Sequence, residues 1–366
     1  MLHDVSRSGD GPTSGLGPKR PKRTTAQTGA VVGVTALCLS MLSACGSGGG
    51  HSSSSEASAT TSVTIAANTS VVADLEPLLA QDAGYFKKVG LKVSVVNLSA
   101  SALLASLASG RVQFGAFGAP QPEIAAMSGA PVKWVGVWSD KSTQQLIAQP
   151  GITSLAQLAH KSIGITTAGS TTDIYARLAV ESAGLNPSEV TFQPVQSASA
   201  LAAAFAGGSI DATAISPPSS TASLQSRPGS RVLVNFANGN NYPWWQGLVA
   251  YMPWADSHRA ATTKVLEAIA MAVKLYRDDP EKAKSLISTT AKVTDPTQLQ
   301  EAYVTNGDAL VTSSIVPSAA VERFILTTLS TLYPGKYPDA TAANAGKYFD
   351  DSFATAAMKA VGSING

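Results

Sequence analysis

One stretch of this chain is written twice. Residues 109–120 read Ser-Gly-Arg-Val-Gln-Phe-Gly-Ala-Phe-Gly-Ala-Pro, and residues 207–218 read Gly-Gly-Ser-Ile-Asp-Ala-Thr-Ala-Ile-Ser-Pro-Pro. A helix cap, a short apolar strand and a turn into the next helix align without a gap. Each copy lies within an alternation of strand and helix patterns, and the order β-α-β-α-β argues for a parallel sheet with helices on both faces. Two copies predict two lobes built on the same α/β unit. The alternative is that α/β units resemble one another by physics alone, because short apolar strands are easily matched.

The alternation starts at Val63. Strands are expected at Val63–Ala66, Val93–Val96, Phe114–Phe117 and Trp134–Trp138, with helices over Asp74–Lys88 and Ser101–Ser109. Leu75, Leu78, Leu79 and Phe86 give the first helix its apolar face. Pro77 falls in its first turn, where proline is tolerated. The second round places strands at Ser162–Thr166, Val190–Pro194, Ala212–Ile215 and Val232–Phe236, and helices at Thr171–Ala183 and Ala200–Ala206. Beyond Pro253 the pattern is helical, with Val265, Leu266, Ile269, Ala272, Val273 and Tyr276 in one stripe.

Ahead of the alternation lies a different kind of sequence. Lys19-Arg20-Pro21-Lys22-Arg23 precedes a 13-residue apolar run, Ala30 to Leu42, and then Ser43-Ala44-Cys45. A basic flank, an apolar core and small residues are the layout of a secretory signal. The run is too short to span a bilayer, which takes about 20 residues. Leu-Ser-Ala-Cys resembles the lipobox of bacterial lipoproteins, which implies cleavage before Cys45 and a lipid on its thiol; the alternative is a plain signal with an incidental Cys. The expected layout is 1–45 as the signal, 46–62 as a Gly/Ser linker, 63–147 plus 247–366 as lobe one and 148–246 as lobe two.

Losing the leader changes the charge balance. The whole chain carries 26 basic and 24 acidic residues; residues 46–366 carry 21 and 22. No basic stripe remains to follow phosphates, which argues against a nucleic-acid partner. Cys38 and Cys45 are the only cysteines, so the mature core has no disulfide. His3, His51, His160 and His258 are scattered, with no metal-ligand spacing. There is no nucleophile elbow or Walker-type loop. These absences point away from an enzyme and imply no cofactor.

In open parallel sheets, ligands bind beyond the carboxyl ends of the strands. Here those ends are Ala67–Ser70, Gly118–Gln121, Ser139–Lys141, Thr167–Thr172 and Ser216–Ser219, small and polar with Lys141 the one cation. In Gly169-Ser170-Thr171-Thr172-Asp173, Ser170 suits an N-cap and Asp173 completes a capping-box-like pattern. Such a helix start attracts anions, or is a helix start and no more. Trp244 and Trp245 follow Pro243 in an expected turn, where one can cover a ligand's carbon skeleton or both can fill the seam between lobes. Glu123 at another helix start suits the helix dipole, or pairs with a ligand amine.

A family resemblance joins these pieces. Ile163 to Asp173, then Arg177, Gly184-Leu185-Asn186-Pro187, Ala83-Gly84-Tyr85-Phe86 and Tyr276 to Ala283 resemble the substrate-binding proteins of ABC transporters in the sulfonate, taurine, nitrate and thiamine-precursor group. The resemblance implies a two-lobe, periplasmic-binding-protein-like (type II) clamp, each lobe a parallel-rich sheet flanked by helices. It places Asn68, Thr69, Gln121, Gly169, Ser170 and Thr171 in the cleft, with Ser216 added from the strand ends and Trp244 and Trp245 from the expected turn. It implies a lipid-anchored, extracytoplasmic monomer that delivers a small organic anion, aliphatic sulfonate-like, to an ABC permease and ATPase. A thiamine-pyrimidine-precursor receptor, a sensor and a clamp-fold enzyme are the other readings. No Arg lies in the cleft loops, which disfavours a doubly charged anion.

Overall fold

In this computed structural model, residues 61–69, 71–238, 242–305 and 313–364 are described. The expected signal, Cys45 and most of the linker lie outside them. Strands β1 (Ser62–Ala67), β2 (Lys92–Asn97), β3 (Phe114–Gly118) and β4 (Val132–Lys141) belong to one sheet. Strands β5 (Gln145–Ala148), β6 (Ser162–Ile165), β7 (Thr191–Pro194), β8 (Ala212–Ile215) and β9 (Arg231–Asn235) form a second, and β10 (Pro243–Tyr251) returns to the first.

The two sheets have the same wiring. Their orders are β2-β1-β3-β10-β4 and β7-β6-β8-β5-β9. In each, three parallel strands are followed by one that runs antiparallel to both its neighbours. The duplicated segments supply β3 and β8, which hold equivalent places. The antiparallel strand of each sheet, β5 or β10, is the first one the chain makes after changing sheets. The changes fall between β4 and β5 and between β9 and β10, so residues 145–147 and 243–246 belong to the other sheet from the one that boundaries at 147 and 247 would give them.

Helices α1 (Glu76–Asp82), α2 (Tyr85–Lys88), α3 (Ala100–Ala108) and α4 (Gln121–Met127) accompany the first sheet, and α5 (Thr171–Ser182), α6 (Ala198–Ala206) and α7 (Ser219–Ser226) the second. The C-terminal part adds α8 (Met252–Ser257), α9 (Arg259–Asp278), α10 (Pro280–Ala291), α11 (Pro296–Tyr303), α12 (Ala319–Leu332) and α13 (Ser352–Val361). The single helix expected over 74–88 is instead a 3-10 turn, Val72–Asp74, followed by α1 and α2. Gly84, at φ +77°, takes a left-handed conformation that ends α1 and starts α2.

Three apolar clusters hold the layers together. On one face of the first sheet, the stripe of α9 packs with α1 and α13, and Val265, Leu266, Ile269 and Val273 are fully buried. On the other face a second cluster runs from α3 and α12 through Trp134 and Trp245 into β6 and α5. This cluster is shared, so one apolar core touches both sheets. A small third cluster, Ile147, Leu201, Phe205, Ile210 and Ile215, closes the far side of the second sheet.

Candidate ligand-binding site

The carboxyl ends of β1, β3, β6, β7 and β8 converge on a cavity of about 120 Å³. Five of the residues expected there line it: Asn68, Gln121, Ser170, Thr171 and Ser216. Thr69 and Gly169 do not. The Thr69 N–H donates to Asn97 Oδ1 at 3.1 Å, and the Gly169 N–H donates to Asp173 Oδ2 at 2.7 Å.

The tryptophans are a correction. Pro243 opens a strand, not a turn, and both rings go into the packing. Trp245 is fully buried between Trp134 and Phe349, with ring centroids 5.6 and 5.7 Å away. Trp244 meets the Tyr175 ring of α5 at 5.1 Å and donates from Nε1 to Ala119 O at 2.9 Å. It borders only a smaller cavity of about 20 Å³, and neither ring lines the main one.

The start of α5 is built as its sequence implies, with more partners. Ser170 Oγ accepts from the Asp173 N–H at 3.3 Å. Thr172 Oγ1 accepts from the Thr166 N–H at 2.8 Å. Asp173, fully buried, accepts from Arg177 Nε at 2.8 Å through Oδ1 and from the Tyr333 hydroxyl through Oδ2. Thr171 Oγ1 donates 2.8 Å across to Ala119 O, and Gln121 Nε2 donates 3.3 Å to Thr167 Oγ1. These bonds join the loop after β3 to the loop after β6. A Cβ at Gly118 would lie 2.9 Å from both Thr171 Oγ1 and Gln246 Oε1, so any larger residue would have to displace these side chains.

Several wall residues had no motif to mark them. Thr143 and Gln144 belong to the passage between sheets, Gln246 to β10, and Gln196 and Ser197 to the loop after β7. Gln196 has a left-handed backbone, φ +67°, which is uncommon outside glycine. The order of the sheets, not any local pattern, brings these segments to the cavity.

Charge is distributed unexpectedly. Asp74, read from sequence as the first residue of a helix, lines the cavity at 6 % exposure. Among the described residues there, none is Lys, Arg, His or Cys. Burial holds the Asp74 carboxyl well above the usual carboxylate range, against hydrogen bonds from the Gln246 side chain and the Asn68 backbone. Glu76, 1 % exposed, borders the smaller cavity, and burial raises its carboxyl too. Lys141 borders that smaller cavity and is exposed. Glu123, offered above as a partner for a ligand amine, faces neither cavity. It is fully buried near Trp134 and Glu322.

Comparison with known proteins follows the same line. A family model described as NMT1/THI5 like matches residues 75–283, more than half of the chain. A sequence comparison with curated proteins finds no significant match. Among solved structures, the alkanesulfonate-binding protein SsuA from Xanthomonas axonopodis pv. citri, bound to MOPS, is 18 % identical at a TM-score of 0.67, covering 79 % of this chain and 98 % of that one. The periplasmic nitrate-binding protein NrtA from Synechocystis PCC 6803 is 14 % identical at 0.65, covering 83 % and 89 %. The desulfurization enzyme DSZB is 14 % identical at 0.60, covering 82 % and 99 %. At these identities the likeness establishes the fold.

Proposed function

The chain belongs to the NMT1/THI5-like family, and from that premise we propose that it is a solute receptor for an ABC importer. It is anchored outside the membrane through a lipid on Cys45 and takes up a small polar organic solute between its lobes. The sulfonate-like end expected from sequence would sit at the start of α5, where the helix dipole suits an anion. The observation that carries the reading is the cavity of about 120 Å³ walled by strand ends from both sheets.

In this mechanism each sheet with its helices is a lobe, and the hinges lie where the chain passes between the sheets, one of them over 142–144. Ligand stabilises the closed arrangement, and the permease engages that state. Native mass spectrometry of protein purified from its host identifies the co-purified solute. Adding that solute to stripped protein should lower the radius of gyration in small-angle scattering. A saturating solute that leaves the scattering curve unchanged would exclude hinge closure.

The Thr171 hydroxyl joins the lobes, so its loss tests closure. Thr171→Val removes one neutral hydrogen bond of about 1 kcal/mol and should weaken the solute roughly fivefold. Unchanged affinity in calorimetry would show that the Thr171–Ala119 bond does not bias the equilibrium.

The anchor has its own test. Cys45→Ala should abolish lipidation and leave precursor or shed protein, and globomycin should cause the wild-type precursor to accumulate. Wild-type protein with no mass added at Cys45 would overturn the anchor.

A further inference from the structure

We propose that the ligand of this cavity carries an N–H cation, an ammonium or amidinium group, and that Asp74 is the residue that selects it. The inference rests on the solute-receptor reading and adds the chemistry of the ligand. Asp74 is the one acidic or basic side chain among the described residues lining the main cavity, and it is 6 % exposed. Its carboxyl accepts hydrogen bonds from the Gln246 side chain and the Asn68 backbone, both neutral donors, so no cationic group among the described wall residues would balance it when ionised.

A second buried carboxyl points to the same chemistry. Glu76 borders the smaller cavity, whose wall shares Ala73, Thr143, Gln144, Thr171 and Gln246 with the larger one. Its Oε2 is buried and makes no hydrogen bond. Burial raises both carboxyls, and Asp74 adds to the effect on Glu76. The ion pairs found among the described residues are Arg177–Asp173, Arg259–Asp256 and Lys284–Glu281, none of them here; the exposed Lys141 borders the smaller cavity and is in none of these pairs.

A buried carboxylate without a counter-charge is costly, and the cost falls when a cation is bound beside it. A purely anionic ligand would bring a further negative charge into the same small volume. A ligand with an N–H cation at one end turns that penalty into selectivity. An anionic group at the ligand's other end would meet the dipole at the start of α5, so an amino-sulfonate fits both features.

Three matched probes test this by calorimetry: propane-1-sulfonate, propylammonium and 3-aminopropane-1-sulfonate. On wild-type protein the amino-sulfonate should bind about tenfold or more tightly than the plain sulfonate, as a charge-assisted hydrogen bond requires. Asp74→Asn, which keeps the shape, should erase that preference. Propylammonium binding that disappears in Asp74→Asn, with both sulfonates silent, would support Asp74 and sink the anionic end of the proposed function. Plain sulfonate binding as tightly as amino-sulfonate to wild type would overturn the Asp74 inference and leave the receptor reading intact. An amine preference that survives in Asp74→Asn, or no response to either amine, would overturn it in the same way. The wild-type comparison stands even where the variant fails to fold.

Discussion

Replacing Asp173 with alanine is expected to cost about 3–5 kcal/mol of stability, the range for removing one partner of a buried ion pair. Asp173 is fully buried and collects donors from three directions: the Gly169 N–H, Arg177 Nε and the Tyr333 hydroxyl. Without it, Arg177 keeps its place over the Phe192 ring, 4.0 Å from the centroid, with a charge that has lost its partner. The Tyr333 bond also ties α12 and its following loop, beside the first sheet, to α5 of the second. The variant should therefore loosen the closed arrangement as well as the fold. Urea unfolding of wild type and variant measures the first effect. Ser170→Ala, which removes a single cap worth about 1 kcal/mol, is the scale against which to read it. A loss at Asp173 no larger than at Ser170 would mean that the network does not act as a unit.

Glu123→Gln should act in the opposite direction. Burial raises the Glu123 carboxyl to about 8, with its own backbone N–H opposing, the Glu322 carboxyl adding to the rise and the Trp134 indole opposing. In the unfolded chain the group titrates near its ordinary 4.5. Between those values the folded protein holds a proton that the unfolded chain has released. Stability is therefore complete below pH 4.5 and falls as pH rises toward 8, by about 1.4 kcal/mol per pH unit. Glutamine keeps the neutral shape and carries no such linkage. The gain should be about 3 kcal/mol at pH 7 and close to zero at pH 4.5, measured as the difference in urea unfolding between the two proteins. Glu322, raised by burial and facing Lys133 and the N–H groups of Gly346 and Tyr348, leaves some pH dependence in the variant. Identical pH profiles for the two proteins would show that Glu123 is ionised in the fold.

The amino-acid sequence by itself determined the features that depend on neighbours in the chain. The strands at 63–66, 114–117 and 212–215 were legible because short apolar runs between turns have few alternatives. The start of α5 was legible because a cap is a bond between residues three apart, and Ser170 makes it to Asp173. The duplication around residues 109–120 and 207–218 announced two equivalent sheets, and β3 and β8 occupy the matching places. Tertiary structure alone decided what depends on strand order. β5 is a four-residue strand with no alternation to betray it, and it inserts antiparallel into the second sheet. β10 does the same in the first sheet, and that pairing turns Trp244 and Trp245 from an expected ligand cover into core. Asp74 carried the local signature of a helix start. Its place in the cavity follows from the meeting of the loop after β1 with β10, 172 residues further along the chain, through the bond from Gln246. Local propensity acts over a few residues, whereas burial of a charge is set by segments that only the folded chain brings together.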